Sequence, residues 1–306
     1  MKRFLITLTF IASAIGAIEA SKALWSWRSA LKEVEDLYVV ATNQDAVCLG
    51  ASCIGCSIVG DRFKILWVPS SFEGISVRAP LARLMELERR GQLKGVSYCI
   101  MESCLFSYVT KRDLMADNMT ASMWLQELPV NWRYWDLFPL TSSIYWRSLG
   151  RLLREAAARQ WNFGFKICGH VKDDRLPFLQ RDGEWRRERI EFYARRDFGD
   201  YTSKCDALDI RIREMKQVNA FCREHGLKFV IVFPPMSSFY LQSAPNEVLA
   251  QKNKLITALK ADGVLVFDRL RGYPDELFFD PAHLTWKGAE AFTKDLETFI
   301  DADLKN

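Results

Sequence analysis

The sequence predicts an α/β fold built on a parallel sheet. Several short apolar runs are continuous rather than alternating, which is typical of strands buried on both faces of such a sheet. Helical patterns separate several of these runs, and strands that alternate with helices favour βαβ units. The chain has 306 residues, which is long enough to bury a sizeable core.

The predicted strands are the apolar runs at residues 46–49, 64–68, 96–101, 228–233 and 264–267. The predicted helices cover residues 80–90, 206–225 and 246–260, with a last one from Thr285 to about residue 300. Gly91 and Gly226 stand just past two of these helices, where glycine commonly ends a helix.

A segment at about residues 104–204 interrupts the alternation between the third and fourth strands. We interpret it as a large insertion or cap over the sheet. It holds six of the ten tryptophans, namely Trp124, Trp132, Trp135, Trp146, Trp161 and Trp185. These rings either build a small core of the insertion, which we favour for most of them, or line a ligand cleft.

Composition restricts the class of partner. Hydrophobic residues make up 49% and charged residues 26%, which is ordinary for a globular protein. The formal net charge is only +4, and basic residues alternate with acidic ones nearly everywhere. Such a balance argues against a nucleic acid as partner.

The N-terminus predicts export. Lys2 and Arg3 precede an uncharged stretch over residues 4–18, which Glu19 ends. This order is that of a signal peptide or signal anchor, here residues 1–20, followed by one α/β domain over residues 21–306. The expected location is periplasmic or extracellular, with or without a membrane tether. The alternative is a buried N-terminal helix of a cytosolic protein.

The cysteines leave several interpretations open. Cys48, Cys99 and Cys222 lie inside apolar segments and are expected to pack as small core residues. Cys53 and Cys56 have the spacing of a redox dithiol or of half a zinc site. We rank packing first, a redox pair or disulfide second and a metal third, because no second pair of ligands has zinc-site spacing. No metal or other cofactor is therefore expected.

The first motif with catalytic potential is Gly50-Ala51-Ser52, at the end of the first predicted strand. In open parallel sheets, ligands bind outside the carboxyl ends of the strands, so Ser52 is expected at a cleft. The small residues before it allow a sharp turn, which brings main-chain N–H groups near a developing oxyanion. An ordinary turn serine is the alternative.

The second motif is Asp280-Pro281-Ala282-His283, shortly before the last predicted helix. A serine hydroxyl needs a base, and His283 is the histidine with an acidic residue three positions earlier. Asp280 is expected to orient the imidazole and to stabilise the imidazolium.

Together the two motifs resemble the SGNH (GDSL-like) hydrolase family. Its first block is a strand followed by Gly-Asp-Ser or a variant, and its last block is Asp-x-x-His before the C-terminal helix. The resemblance implies Ser52 as nucleophile, with Asp280 and His283 as its partners. It implies a flavodoxin-like α/β/α sandwich with a five-stranded parallel sheet and, here, an insertion after the third strand. Oxyanion donors would come from Ser52, Cys53 and Gly74.

The sequence also departs from the family pattern. Ala51 replaces the usual acidic residue before the serine, and Glu102-Ser103-Cys104 stands where the third block has Gly-x-Asn. Together with the N-terminal segment and the insertion, these departures make the sequence similar to membrane-anchored SGNH-like proteins that act in acyl transfer in the cell envelope.

Two functional hypotheses follow. The first is a serine-dependent ester hydrolase or O-acyltransferase that acts on cell-envelope or extracellular glycans, or on small esters, through an acyl-enzyme. The second is a non-catalytic SGNH-like module that binds a glycan and assists a membrane-bound acyltransferase.

Overall fold

A computed structural model describes residues 45–50, 52–55, 57–59, 65–69, 78–105, 176–199 and 207–304, together with residues 17 and 21. The chain divides into two compact units, Met1–Val40 with Ala116–Lys166 and Ala41–Met115 with Ile167–Asn306. In the first unit, the Ser21 hydroxyl donates a hydrogen bond to the carbonyl of Ala17. All elements below belong to the second unit.

The sheet of the second unit is parallel, and its strand order is β2-β1-β3-β4-β5. Its strands are β1 (Ala46–Gly50), β2 (Ile65–Pro69), β3 (Tyr98–Glu102), β4 (Lys228–Phe233) and β5 (Leu265–Asp268). Strand β1 pairs with β2 on one side and with β3 on the other. The strand order therefore reverses at β1, and this switch point is where open α/β sheets bind ligands.

Helices and a short hairpin complete the described elements. The helices are α1 (Ser52–Gly55), α2 (Arg78–Arg89), α3 (Gly183–Phe198), α4 (Ala207–Glu224), α5 (Ser238–Ser243), α6 (Asn246–Ala261) and α7 (Trp286–Leu304). The hairpin consists of β6 (Phe278–Asp280) and β7 (His283–Leu284). Gly91 and Gly226 follow α2 and α4 with φ of 70° and 72°, which glycine adopts without strain.

Helices cover both faces of the sheet. Side chains of a strand point alternately to opposite faces. Cys48 and Ile100 share one buried cluster with Phe292, Leu296 and Ile300 of α7, which places α7 on that face. Helix α4 packs on β4 and helix α6 on β5. Cys99 is next to Ile100 on β3 and therefore points to the opposite face, where its thiol interacts with Cys222 of α4.

The predicted α/β class, with a parallel sheet flanked by helices, is confirmed. Strand β4 has the predicted bounds, and strand β3 begins two residues later than expected. The buried Cys48, Cys99 and Cys222 occupy core positions, as predicted from their apolar segments.

Other predictions fall on residues outside the described ranges. Residues 1–20, apart from Ala17, lie there, and so does most of the expected insertion at 104–204. Among the described residues, no helix combines the length and the apolarity that crossing a bilayer needs. Five of the six tryptophans in the expected insertion also lie outside the described residues. The sixth, Trp185, is on α3, and its ring centroid is 6.0 Å from that of Phe178.

Candidate active site

The candidate site lies at the carboxyl ends of three neighbouring strands. Helix α1 follows β1, and Glu102 is the last residue of β3. Just beyond β4, the Ser237 N–H donates to the carbonyl oxygen of Pro281, 3.1 Å away. This bond ties the β6–β7 turn to the end of β4, so the two sequence motifs meet at one edge of the sheet.

The β6–β7 turn holds Asp280 and His283 side by side. His283 Nδ1 lies 2.9 Å from each oxygen of the Asp280 carboxylate. Asp280 Oδ1 also accepts from the backbone N–H groups of Ala282, at 2.9 Å, and His283, at 3.0 Å. The turn thus fixes the carboxylate by its own backbone, and the carboxylate fixes the imidazole with Nε2 directed away from it.

Aromatic rings enclose the imidazole. The Phe279 ring stacks on it, with centroids 5.5 Å apart and planes 13° apart. Tyr193, from α3, contacts it edge-on with centroids 6.2 Å apart. The Tyr193 hydroxyl donates to Asp280 Oδ2 at 2.9 Å and lies 3.2 Å from His283 Nδ1. His283 is only 9% exposed, so the ring has little freedom to rotate.

The start of α7 anchors the turn from the other side. Thr285 donates through its backbone N–H and its hydroxyl to the carbonyl of Leu277, at 2.7 and 3.0 Å. The same hydroxyl accepts from the N–H of Gly288, which caps the helix. A Cβ at Gly288 would lie 2.5 Å from the Leu277 carbonyl oxygen, so this close approach requires glycine.

Asp280 and His283 stabilise each other's charged forms. Burial by itself raises the pKa of Asp280, but the facing His283 and the hydrogen bonds to the carboxylate lower that pKa overall. Burial by itself lowers the pKa of His283, but the Asp280 carboxylate and the Cys53 thiol raise it well above its usual value. The pair therefore favours an ionised carboxylate beside an imidazolium, the state that a base reaches after taking a proton.

The β1–α1 turn approaches the Nε2 side of the imidazole ring. Cys53, the second residue of α1, is buried, and its Sγ lies 4.0 Å from His283 Nε2. Ser52 is the first residue of α1, but its side chain lies outside the described residues, as does Gly74. Of the sequence-predicted site residues, the structure thus brings together Asp280, His283 and Cys53.

Close packing sets the path of this turn. A Cβ at Gly50 would lie 2.5 Å from Cγ2 of Ile54 and 2.7 Å from Cβ of Glu102. Glu102 Oε2 accepts from the N–H of Ile54 at 3.3 Å. Glycine at position 50 therefore lets α1 sit directly against the end of β3.

A cluster of two thiols and a carboxylate lies beside Cys53. The Cys104 thiol donates to Glu102 Oε1 at 2.5 Å. One potential ligand atom from each of Cys53, Glu102 and Cys104 lies within 4.8 Å of the others. A hydrogen bond with Cys53, burial and the nearby Glu102 all raise the pKa of Cys104. These three residues are the described group that could hold a metal ion, and we call them the thiol cluster.

Sequence reasoning missed Tyr193 and assigned no role to Glu102 or Cys104. Tyr193 lies in the segment interpreted as an insertion, far from either motif. The sequence carried no clear signal for it, because the burial of Tyr193 and Asp197 on the mostly charged helix α3 is visible only in the structure. Glu102 and Cys104 follow the third predicted strand, at the place where the SGNH pattern has an asparagine instead.

Comparison of the chain with models of protein families and with curated proteins finds no match. The geometry of the site and the two sequence motifs are therefore the observations that bear on function.

Proposed function

We propose that this protein is an SGNH-type ester hydrolase or O-acyltransferase that works through an acyl-enzyme. The observation that carries the proposal is the buried Asp280–His283 pair, whose Nε2 faces the β1–α1 turn at the carboxyl edge of the sheet. An imidazole that a carboxylate holds at Nδ1, with Nε2 directed at a nucleophile, has the arrangement of the general base in nucleophilic acyl transfer.

The proposed nucleophile is Ser52. It immediately precedes Cys53, whose Sγ is 4.0 Å from Nε2. In this mechanism His283 takes the hydroxyl proton, and the Ser52 oxygen attacks the ester carbonyl carbon. The tetrahedral intermediate then expels the alcohol, which receives that proton from His283. Water or a sugar hydroxyl then loses a proton to His283 and attacks the carbonyl carbon of the acyl-enzyme. The bond from that carbon to the Ser52 oxygen breaks, and the oxygen takes the proton from His283, which restores the hydroxyl.

Main-chain donors of the β1–α1 turn would stabilise the oxyanion. The Ile54 N–H donates to Glu102, so the donors that we assign in α1 are those of Ser52 and Cys53, with Gly74 as a further donor. Each well-aligned donor is worth about 3 kcal/mol of transition-state stabilisation. Hydrogen bonding between Glu102 and the Ile54 N–H supports this assignment because it fixes the orientation of α1.

The finer architecture belongs to the same proposal. A five-stranded flavodoxin-like α/β/α sandwich with an insertion at about residues 104–204 would carry the site. The proposed substrates are acylated cell-envelope or extracellular glycans, with residues 1–20 acting as signal peptide or membrane anchor. A membrane-bound acyltransferase is the proposed protein partner.

A second candidate has a thiol nucleophile. The 4.0 Å distance from Cys53 Sγ to His283 Nε2 is at the long end of sulfur hydrogen bonding, and it favours Cys53 as the group that His283 activates. The reaction would again be acyl transfer, through a thioester. Burial of Cys53, which is 5% exposed, argues for the preceding Ser52 instead.

Turnover of p-nitrophenyl acetate tests the proposal. We expect Ser52→Ala to abolish turnover and labelling by a fluorophosphonate, whereas Cys53→Ser retains most activity. Loss of turnover in Cys53→Ser together with an active Ser52→Ala would move the nucleophile to the thiol. A wild type that is inert toward every ester, and that binds acylated glycans, would replace the enzyme by the binding module.

A further inference from the structure

We propose that the thiol cluster, completed by His283, is a binding site for a zinc-like divalent ion. Two cysteines, one carboxylate and one imidazole are a ligand set that Zn²⁺ favours. These residues are far apart in the sequence, at positions 53, 102, 104 and 283, so no ligand-spacing motif predicts the site. The fold assembles them at the carboxyl ends of β1 and β3.

The distances suit tetrahedral coordination. With Zn–S bonds of about 2.3 Å, two thiolate sulfurs of a tetrahedral site lie about 3.8 Å apart. The ligand atoms of Cys53, Glu102 and Cys104 are already within 4.8 Å of one another. His283 Nε2 lies 4.0 Å from Cys53 Sγ but outside the group of atoms that are mutually within 4.8 Å, so its coordination as fourth ligand requires a larger shift than that of the other three. Shifts of about 1 Å or less in the thiol cluster would bring its three ligands to coordination distance.

A bound cation would compensate the negative charge of two buried thiolates. Cys53 and Cys104 are 5% and 2% exposed, so thiolates formed there need a cation beside them. Glu102 is only partly buried. The hydrogen bond from the Ile54 N–H to Glu102 Oε2 leaves Oε1, now contacted by Cys104, as the oxygen directed at the cluster.

Binding is balanced by proton release. The ion replaces the protons of the Cys53 and Cys104 thiols, and a third proton leaves where His283 is an imidazolium before binding, whereas Glu102 donates a lone pair without losing a proton. Coordination through Nε2 removes the lone pair that His283 needs as a base. This consequence, inhibition of acyl transfer by zinc, rests on the proposed function, whereas the site itself does not.

Cobalt titration of the reduced, chelator-treated full chain tests the site without any activity measurement. We expect one Co²⁺ per chain, with intense near-ultraviolet absorption from thiolate-to-cobalt charge transfer and the visible bands of a tetrahedral ion, all removed by added Zn²⁺. Cys104→Ser should lose the stoichiometric signal. The matched control is Cys222→Ser, which alters a buried thiol on α4 and should bind cobalt like the wild type.

Two further variants keep the test decisive. Glu102→Gln should retain the thiolate-to-cobalt charge transfer, because both thiols remain, but should shift the visible bands, because one ligand changes. This variant tests the site even if Cys104→Ser fails to fold. If Cys56→Ser abolishes the signal while Cys104→Ser keeps it, the ion is held by the Cys53–Cys56 pair and the proposal is overturned. Failure of the wild type to bind cobalt also overturns it, whether or not the chain hydrolyses esters.

Activity with and without zinc, compared within each variant, tests the fourth ligand. Zinc should inhibit ester turnover by the wild type at the concentration that displaces cobalt, and Cys104→Ser should resist that inhibition. Cobalt binding without inhibition in an active enzyme would overturn the role of His283 as ligand.

Discussion

The two sides of the candidate site are built in opposite ways. On the β6–β7 side, one carboxylate accepts from four donors: the N–H groups of Ala282 and His283, the His283 ring and the Tyr193 hydroxyl. On the β1–α1 side, two thiols, a carboxylate and the start of a short helix crowd around one turn. On the first side, the Asp280 carboxylate and the imidazole are held in one arrangement. On the second side, several chemically distinct groups lie near the same imidazole.

The orientation of the imidazole is therefore fixed, whereas the identity of the group that meets Nε2 depends on tertiary packing. The orientation of His283 follows mainly from hydrogen bonds within a four-residue turn, so its proposed role as base depends mostly on that turn. The group that meets Nε2 depends on how β1, α1 and the end of β3 pack together. The proposed nucleophile Ser52, the Cys53 thiol and the proposed metal ion are therefore alternative partners of His283. The variants below test each side of the site separately.

Replacing the base should have the largest effect. His283→Ala should lower kcat by on the order of 10⁵–10⁶-fold, because members of such a triad act as a unit. It should also destabilise the fold by about 3 kcal/mol, since it leaves the buried Asp280 carboxylate without its charged partner. Initial rates and urea unfolding measure the two effects. His225→Ala is the control, because His225 pairs with Glu88 near the end of α4, and it should leave kcat unchanged.

Asp280→Asn should rank second, with kcat lowered by about 10⁴-fold. It should also move the acidic limb of the pH–rate profile. Activity needs neutral His283, and because its pKa is raised, the wild-type limb lies above the usual histidine range. Removing the carboxylate removes a principal cause of that rise, so the limb should move to lower pH. Profiles are measured on chelator-treated protein.

Asp197→Asn is the control for that shift. Asp197 is also buried, but its carboxylate accepts from Tyr240 and pairs with Arg196. We expect lower stability without displacement of the acidic limb. An equal shift in both variants would mean that the limb reports net charge rather than the contact between Asp280 and His283.

The contrast between the two sides also explains what the sequence could predict. The strands are continuous apolar runs, and the Asp280–His283 pair is local, so both follow from short stretches of sequence. Tyr193 reaches the site from another segment, and the thiol cluster depends on the pairing of β1 with β3. Such contacts are set by tertiary packing, which no spacing rule encodes. The third-block asparagine has no counterpart among the described residues after β3, where Glu102 and Cys104 interact instead.

Gly50→Ala should perturb the β1–α1 side alone. The added Cβ would meet Ile54 and Glu102 at less than 3.0 Å, so α1 must shift, at a cost of about 1–3 kcal/mol in unfolding free energy. A displacement of about 1 Å at the nucleophile can lower kcat by about 100-fold. The acidic limb should stay in place because the Asp280–His283 turn is untouched. Gly183→Ala, where the nearest atom is 4.0 Å away, is the control and should be neutral.

Tyr193→Phe should have the smallest effect on rate and gives the finest test of the base side. The hydroxyl donates to Asp280 Oδ2 at 2.9 Å, while backbone N–H groups and the imidazole already hold Oδ1. Its loss should therefore loosen the carboxylate without freeing it, lowering kcat by about tenfold with KM unchanged, which corresponds to about 1.4 kcal/mol. Tyr240→Phe is the matched control, because that buried hydroxyl donates to Asp197 instead. Both variants should lose similar stability in urea, but only Tyr193→Phe should slow turnover. Equal slowing in both would make Tyr193 a general packing residue, and the rigidity of the base side would then rest on the turn alone.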